Sequence, residues 1–357
     1  MSIFDFLLAL LLLYAAWTLT VELGLKKLSC SRRFSRSAFF EGETGEIIEV
    51  VRNDRPFLIP WLRVESRISP HLRLGRQDNL HVSGQMYYCS FFTLMPYQQI
   101  LRRHRVAFLH RGAYDLGNAA LTTGDIFGFA RFSRNQALSA PVLVYPRILE
   151  PESLPLPVSA ILGELVRRHT LARDPFLVKG IREYQPGDPV RDIHWPATAR
   201  TGQTQVRIHD QTVRARLLVV LNVQPADLQW TAYISEKDAE TVEEGIRLAA
   251  SLCLYALRSG LSAGFASNMP IDDTDAPVAL LPMAGAAREE ELLAAFAKCR
   301  IRCAEKFPML LDNLCDQQGL DVVVLSAYDS ESIQEGLQKL RQAGNQVAFH
   351  LLEGGSL

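Results

Sequence analysis

Apolar positions change their period along the 357-residue chain. Phe6 to Val21, FLLALLLLYAAWTLTV, carries no charge. With Gly24 and Leu25 this apolar stretch reaches about 20 residues, the length an α-helix needs to cross a bilayer core. From Ala38 to Tyr145 the runs are short: Ile47–Val51, Leu62–Ser66, Tyr87–Leu94 and Arg105–Leu109 lie between Gly, Pro, Asn and Asp breakers. That pattern, with turns at Gly117-Asn118 and Thr123-Gly124-Asp125, predicts an antiparallel β-sandwich. Pro141, Pro146, Pro151, Pro155 and Pro157 mark a linker, and Ala160–Arg168 reads as a short helix.

After Arg214 the pattern changes. Leu217–Leu221 (LLVVL) reads as a strand covered on both faces. Ala239, Val242, Ile246, Ala249, Cys253 and Leu257 recur at helical spacing until Gly260. Strands over Ser262–Ala266, Val278–Leu281 and Val322–Leu325 alternate with helices over Glu289–Ala297 and around Ile333, Leu337 and Leu340. Val347, Phe349 and Leu351 close the series as a last strand. Strands alternating with helices predict a Rossmann-like, mostly parallel sheet. The expected fold class is therefore α/β and β: an N-terminal transmembrane helix, an antiparallel β-sandwich domain and a C-terminal α/β domain.

Charge refines this picture. The 38 Lys and Arg nearly balance the 39 Asp and Glu, giving a formal net charge of -1 and no expectation of nucleic acid as a partner. Lys26, Lys27, Arg32, Arg33 and Arg36 follow the apolar stretch, and no basic side chain precedes it. The positive-inside rule then predicts a single-pass anchor in the inner membrane, with the lipid bilayer as a partner and the bulk of the chain cytoplasmic. A cleaved signal peptide is disfavoured, because only Asp5 is charged at the start and LGLKKLSCSRR offers a poor cleavage site. The six cysteines show no disulfide spacing, and Cys299 and Cys303, though on one helix face, have no matching His or Cys pair. The basic run Arg102, Arg103, His104, Arg105, His110 and Arg111 reads as a charged strand edge that resists aggregation.

The most unusual segment is Lys179–Arg207. Arg182, Glu183, Asp188, Arg191, Asp192, His194, Arg200 and Arg207 alternate with Tyr184, Ile193 and Trp195 around Pro186-Gly187-Asp188. Unpaired buried charge is costly, so the segment predicts a paired ionic network over an aromatic floor. Arg182, Arg191 and Arg200 supply bidentate donors, and Glu183, Asp188 and Asp192 supply carboxylates. An enzyme reading, a hydrolase, takes Glu183 or Asp188 as acid/base beside His194. The chain has no nucleophile elbow, phosphate-cradling loop or His/Cys metal spacing to accompany them, so the catalytic set is expected to be none.

The pattern Arg-Glu-Tyr-x-Pro-Gly-Asp-x-x-Arg-x-Ile-x-Trp-x-x-x-Ala-Arg from Arg182 to Arg200 resembles the core motif of the domain-of-unknown-function 58 family. Arg111-Gly112-x-Tyr114, Gly124-Asp-Ile-Phe-Gly128 and Val144-Tyr145-Pro146 are similar to its upstream motifs. The resemblance implies a bacterial protein whose terminal domain is von Willebrand factor A-like. It also implies MoxR-type AAA+ ATPases as partners, sometimes with transglutaminase-like membrane proteins, and carries over no enzyme activity. Metal-binding von Willebrand A domains place Asp-x-Ser-x-Ser after the first strand, where oxygen ligands hold Mg²⁺. Here Asn222, Gln224 and Ala226 stand at those positions, so neither a metal nor another cofactor is expected. Asp227 is a remote substitute ligand.

The expected organisation is an anchor and basic segment over 1–36, a sandwich over 37–150, a linker, helix and motif over 151–214, and the von Willebrand A-like domain over 215–357. The expected function is a non-enzymatic, membrane-anchored adaptor or scaffold facing a MoxR-type ATPase or an envelope assembly partner. Its interaction motif is Arg182, Glu183, Tyr184, Pro186, Gly187, Asp188, Arg191, Trp195 and Arg200. The alternatives are the hydrolase and metal-dependent ligand binding by the von Willebrand A-like domain.

Overall fold

Strand β1 (Leu28–Phe34) turns Leu28, Cys30, Arg32 and Phe34 inward and exposes the residues between them. That period-2 burial is the signature of a strand with one solvated face. The computed structural model describes residues 3–4, 7–15, 28–75, 80–83, 87–125, 131–172, 178–185, 188, 190–209, 215–227, 234–272 and 274–352. They divide into two units, Met1–Arg147 and Ile148–Leu357.

The first unit continues with β2 (Ala38–Phe40), β3 (Thr44–Asn53), β4 (Ile59–Arg67), β5 (Leu72–Leu74), β6 (Leu80–Ser83) and β7 (Tyr87–Leu94). Then follow β8 (Gln99–Phe108), β9 (Gly112–Asp115), β10 (Asn118–Gly124), β11 (Arg131–Ala137) and β12 (Pro141–Tyr145). They form sheets of order β1-β3-β8-β5, β11-β10-β4-β7-β6 and β2-β12-β9. Of the basic run expected at a strand edge, Arg102–Arg105 lie in β8, which is paired on both sides, to β3 and to β5. Alternation exposes Arg103 and Arg105 and buries His104.

The expectation of a transmembrane helix is corrected: among the described residues, no helix is long and apolar enough to cross a membrane. Residues 3–4 and 7–15 are helical, and the latter are labelled α1. At 1.5 Å per residue, α1 spans only about 13 Å of the ~30 Å hydrocarbon core. Residues 6 and 16–25 of the predicted span lie outside the described residues. Hydropathy reports how apolar a stretch is, not whether it forms a membrane-crossing helix. Arg32, read from sequence as a charge following the anchor, is instead an inward position of β1.

Arg32 belongs to a buried polar group in the first unit. Its Nε and Nη2 both lie 2.7 Å from Glu49 Oε1, with both side chains fully buried. Nη1 donates to Ser66 on the other sheet, and the guanidinium lies 4.9 Å from the centre of the Tyr88 ring. His104 Nε2 is 3.5 Å from Glu49 Oε2. Burial alone would raise the pKa of Glu49, but the neighbouring His104 and Arg32 outweigh it and hold the carboxyl below its ordinary range.

The second unit begins with a 3-10 turn (Pro151–Ser153) and α2 (Leu156–Ala172), followed by β13 (Val178–Glu183), α3 (Trp195–Thr201) and β14 (Gln205–His209). The rest alternates: β15 (Arg216–Leu221), α4 (Glu236–Arg258), β16 (Ser262–Pro270), β17 (Pro277–Met283), α5 (Ala286–Lys298), α6 (Phe307–Leu314), β18 (Asp321–Ser326), α7 (Glu331–Gln342) and β19 (Gln346–Leu351). Sheet order is β17-β16-β15-β18-β19, parallel except for β17. At Gly264 a Cβ would meet the Leu280 carbonyl oxygen at 2.4 Å, so β16 and β17 approach there only because the position is glycine.

Glu49→Ala is expected to cost about 3–5 kcal/mol at neutral pH, because it leaves the Arg32 charge buried without its carboxylate. Glu49 has a lowered folded-state pKa, so its contribution is present above the ordinary glutamate range and is lost as pH falls through the folded value. Urea titrations of both proteins should therefore converge on acidification; a gap that stays constant with pH contradicts the charge argument.

Candidate functional site

Strands β13 and β14 pair antiparallel, with Ile181 opposite Arg207, Arg182 opposite Val206 and Glu183 opposite Gln205. The chain between them makes an excursion that is tied back at several points. Tyr184 N–H donates to the Thr204 carbonyl at 2.8 Å, and His194 N–H to the Gln205 carbonyl at 2.8 Å. Ile193 forms a bridge with Val206.

The Arg182 guanidinium grips Asp188 with two parallel bonds, Nη1–Oδ2 at 2.7 Å and Nη2–Oδ1 at 2.8 Å. Asp188 Oδ2 also accepts the Gln185 N–H at 2.8 Å, closing a turn in which Asp188 N–H donates to the Gln185 carbonyl. The Arg182 bond, then the Gln185 N–H, hold the Asp188 carboxyl below its ordinary range; the same contact raises Arg182. Pro186 and Gly187 lie outside the described residues, as does the side chain of Arg191, whose main chain is in a 3-10 turn over Val190–Asp192.

His194 caps α3: its Nδ1 accepts the Ala197 N–H at 3.0 Å. That satisfies one of the donors a helix start leaves open. Thr198 Oγ1 donates to the His194 carbonyl and accepts from Gln205 N–H, joining α3 to β14. Gly202 ends the helix with φ 72, in the left-handed region. Arg200 is exposed in the last turn, where a cation complements the helix dipole. Glu183 is exposed on β13. Of the hydrolase set, Asp188 is thus committed to Arg182, and His194 Nδ1 to the helix start.

The expected aromatic floor is not a floor. Trp195 is 65% exposed, and Tyr184, Ile181 and Val190 are also exposed. The ionic pair fixes the turn, and the apolar side chains face outward beside it.

Asn222, Gln224 and Ala226, the positions weighed for a metal, lie after the end of β15. Asn222 is buried; its Nδ2 donates to Ser326 Oγ at 3.0 Å, and its Oδ1 accepts from Gln224 N–H at 3.0 Å and Asn268 Nδ2 at 3.4 Å. Gln224 Nε2 donates to the carbonyls of Ala226 and Asp227, and its Oε1 accepts the Phe307 N–H at 3.4 Å. Asp227 Oδ1 accepts from Ser332 Oγ at 2.7 Å. These amides join β15 to β16, β18 and α6, so the oxygens an ion would need are engaged in the fold. Among the described residues, no group of three or more His, Cys, Asp or Glu is placed to hold a metal.

Asn268 and Glu305 escaped the sequence reading. Asn268 Oδ1 accepts the Val223 N–H, and its Nδ2 lies 3.4 Å from the Glu305 carbonyl. Burial pushes the Glu305 carboxyl above its ordinary range. No local motif marks either residue. Asn268 was detectable only as a polar interruption at the end of an apolar strand. The Cys303 thiol, pushed up to about 11 by burial, is inert at neutral pH.

Fold and site together define a two-unit, mixed α/β protein whose charged motif builds a structured excursion between two paired strands. Residues 180–299 match the family described as Protein of unknown function DUF58, the family that the motif at Arg182–Arg200 led us to expect. No curated protein matches the chain. Among solved structures, the chain is similar to the CARDB domain of a Pyrococcus furiosus protein in complex with di-metal ions: 13% identity, 33% of this chain, 90% of that one, TM-score 0.22. It is also similar to E. coli alpha-2-macroglobulin (13% identity, 39% and 10% coverage, TM-score 0.23). A third likeness is to a Vibrio harveyi GH20 exo-β-N-acetylglucosaminidase (10% identity, 87% and 59% coverage, TM-score 0.23). At these TM-scores the likenesses carry no argument.

Two substitutions test the structural roles. His194→Ala should cost about 1 kcal/mol through loss of the cap, and His194→Asn, which can cap in its place, should recover most of it; equal losses in thermal melts would contradict the capping role. Asn222→Asp should cost about 1–3 kcal/mol by removing the donor to Ser326 and burying a charge; an unchanged melt would show that the amide network is dispensable.

Proposed function

We propose that this protein is a non-enzymatic adaptor, and that the excursion between β13 and β14 is a docking surface for a partner protein. The observation that carries the reading is the exposure of Trp195 beside Tyr184, Ile181 and Val190, on a turn locked by Arg182 and Asp188. A rigid aromatic anchor next to arginine is the usual composition of a binding hot spot. A turn held by a bidentate pair and a capped helix loses little freedom on binding, which favours affinity. The commitment of Asp188 and His194 to structural bonds disfavours the hydrolase reading.

The partner we propose is a MoxR-type AAA+ ATPase, which the family resemblance suggests. The second unit serves as a von Willebrand A-like platform, a reading supported by its mostly parallel sheet with β15 at the centre. Binding to a purified MoxR-type ATPase, measured by titration, should weaken by a factor of about 30, or ~2 kcal/mol, in Trp195→Ala. Its melting temperature should stay near that of the parent, because the ring contributes little to the core. Absence of binding, or equal binding by parent and variant, overturns the proposal.

A further inference from the structure

The loops 54–58 and 95–98 cross between the two larger sheets of the first unit, from β3 to β4 and from β7 to β8. Both lie at the same end, because Arg52 on β3 pairs with Gln99 on β8. Asn53, fully buried, staples them: its Nδ2 donates to the Phe57 carbonyl at 2.8 Å and to the Met95 carbonyl at 2.9 Å. Its backbone N–H donates to the Gln98 carbonyl at 2.9 Å, and Tyr97 N–H donates to the Arg55 carbonyl at 3.0 Å. The two loops are therefore one rigid tip.

This tip presents apolar side chains to solvent. Tyr97 is 69% exposed, Met95 56% and Phe57 52%, with Leu58 beside them. Tyr97 has φ 58, a conformation that is costly for a residue with a Cβ. Backbone strain and exposed apolar surface are both unfavourable in water, and the Asn53 bonds hold them in place.

Two further observations point to the occupant. Leu28, the first residue of β1, pairs with Asn53, so the chain N-terminal to β1 enters the fold at this tip. That chain includes α1, whose leucines are exposed. At the other end of β3 and β8, the turn at residues 41–43 carries Glu41 and Glu43. The apolar and aromatic side chains gather at one end of the unit, where the exposed Arg52 at the flank pairs with Asp54; at the other end Glu43 pairs with Arg36. Exposed apolar and aromatic side chains flanked by paired charges suit a surface with an apolar interior and polar headgroups, where amphipathic aromatic rings settle.

We propose that this end of the sandwich is a lipid contact, inserting Phe57, Met95 and Tyr97 among the headgroups of a bilayer where the leucine-rich N-terminal chain enters the fold. The contact needs no membrane-crossing helix. It is independent of the docking surface proposed above, and either can fail alone.

Hydrogen exchange of the full chain tests it, with vesicles of phosphatidylcholine alone and of phosphatidylcholine mixed with phosphatidylglycerol. Exchange in residues 54–58 and 95–98 should slow about tenfold on both vesicle types, equivalent to ~1.4 kcal/mol, while residues 41–43 stay unchanged. A variant combining Phe57→Ser, Met95→Ser and Tyr97→Gly keeps the N-terminal chain and suits the left-handed turn, so it should melt normally and lose this protection. Unchanged exchange in the parent, or protection that survives in the variant, overturns the proposal. Protection confined to anionic vesicles and abolished by salt also overturns it, in favour of a purely electrostatic contact. Protection by a soluble protein fraction but by neither vesicle overturns it in favour of a protein partner.

Discussion

Strand β15 has no face open to water, and the second unit is organised around that constraint. Leu217, Val219 and Leu221 enter one core, shared with α4 and β16. Leu218 and Val220 enter the other, shared with α6 and α7. A strand buried on both faces leaves no solvent to satisfy polar groups at its end, so each must find a partner within the protein. Asn222, Gln224, Asn268 and Ser326 meet that demand together. Neutral amides suit the place because they donate and accept, whereas a carboxylate accepts only and needs a cation. Asn222 and its partners are therefore a structural joint between β15, β16 and β18 in this chain.

The excursion between β13 and β14 obeys the opposite rule. It is rich in charge and poor in burial, so its order comes from directed bonds: the Arg182 fork on Asp188, the His194 cap and the Thr198 link to Gln205. Charges in such a place contribute geometry more than stability, because water screens them. Geometry is what an exposed Trp195 and Tyr184 require if they are to meet a partner in one orientation.

The sequence was legible where periodicity is local. LLVVL, the helical spacing from Ala239 to Leu257 and the alternation after Gln346 each correspond to an observed element. It was less legible where the answer depends on distant neighbours. The run at Arg102–Arg105 read as an edge because strand order is not written locally, and β8 lies between β3 and β5. Arg32 read as one of several basic residues after an apolar stretch, although Leu28-x-Cys30-x-Arg32-x-Phe34 already contained the inward phase of a strand. The helix α6 went unread because FPMLLDNL is too short to show a period. The apolar N-terminal stretch misled for a different reason, since composition measures the affinity of a segment for lipid and not whether it forms a membrane-crossing helix. For the motif, composition contained the Arg182–Asp188 pair among its charges, but it could not tell that the aromatics would be exposed.

Arg32 and Arg182 show why that last question decides function. Both make short contacts with a carboxylate, and both stand in strands. Around Arg32 the neighbours are Tyr88, Ser66 and His104 inside a sandwich, and changing any of them disturbs a desolvated charge. Around Arg182 the neighbours are a turn and exposed aromatics, and changing those aromatics removes little that the fold depends on. A side chain the core does not need is free to be chosen for what it meets outside. Trp195, exposed in the motif, is such a side chain, and that freedom is what the proposed docking surface rests on.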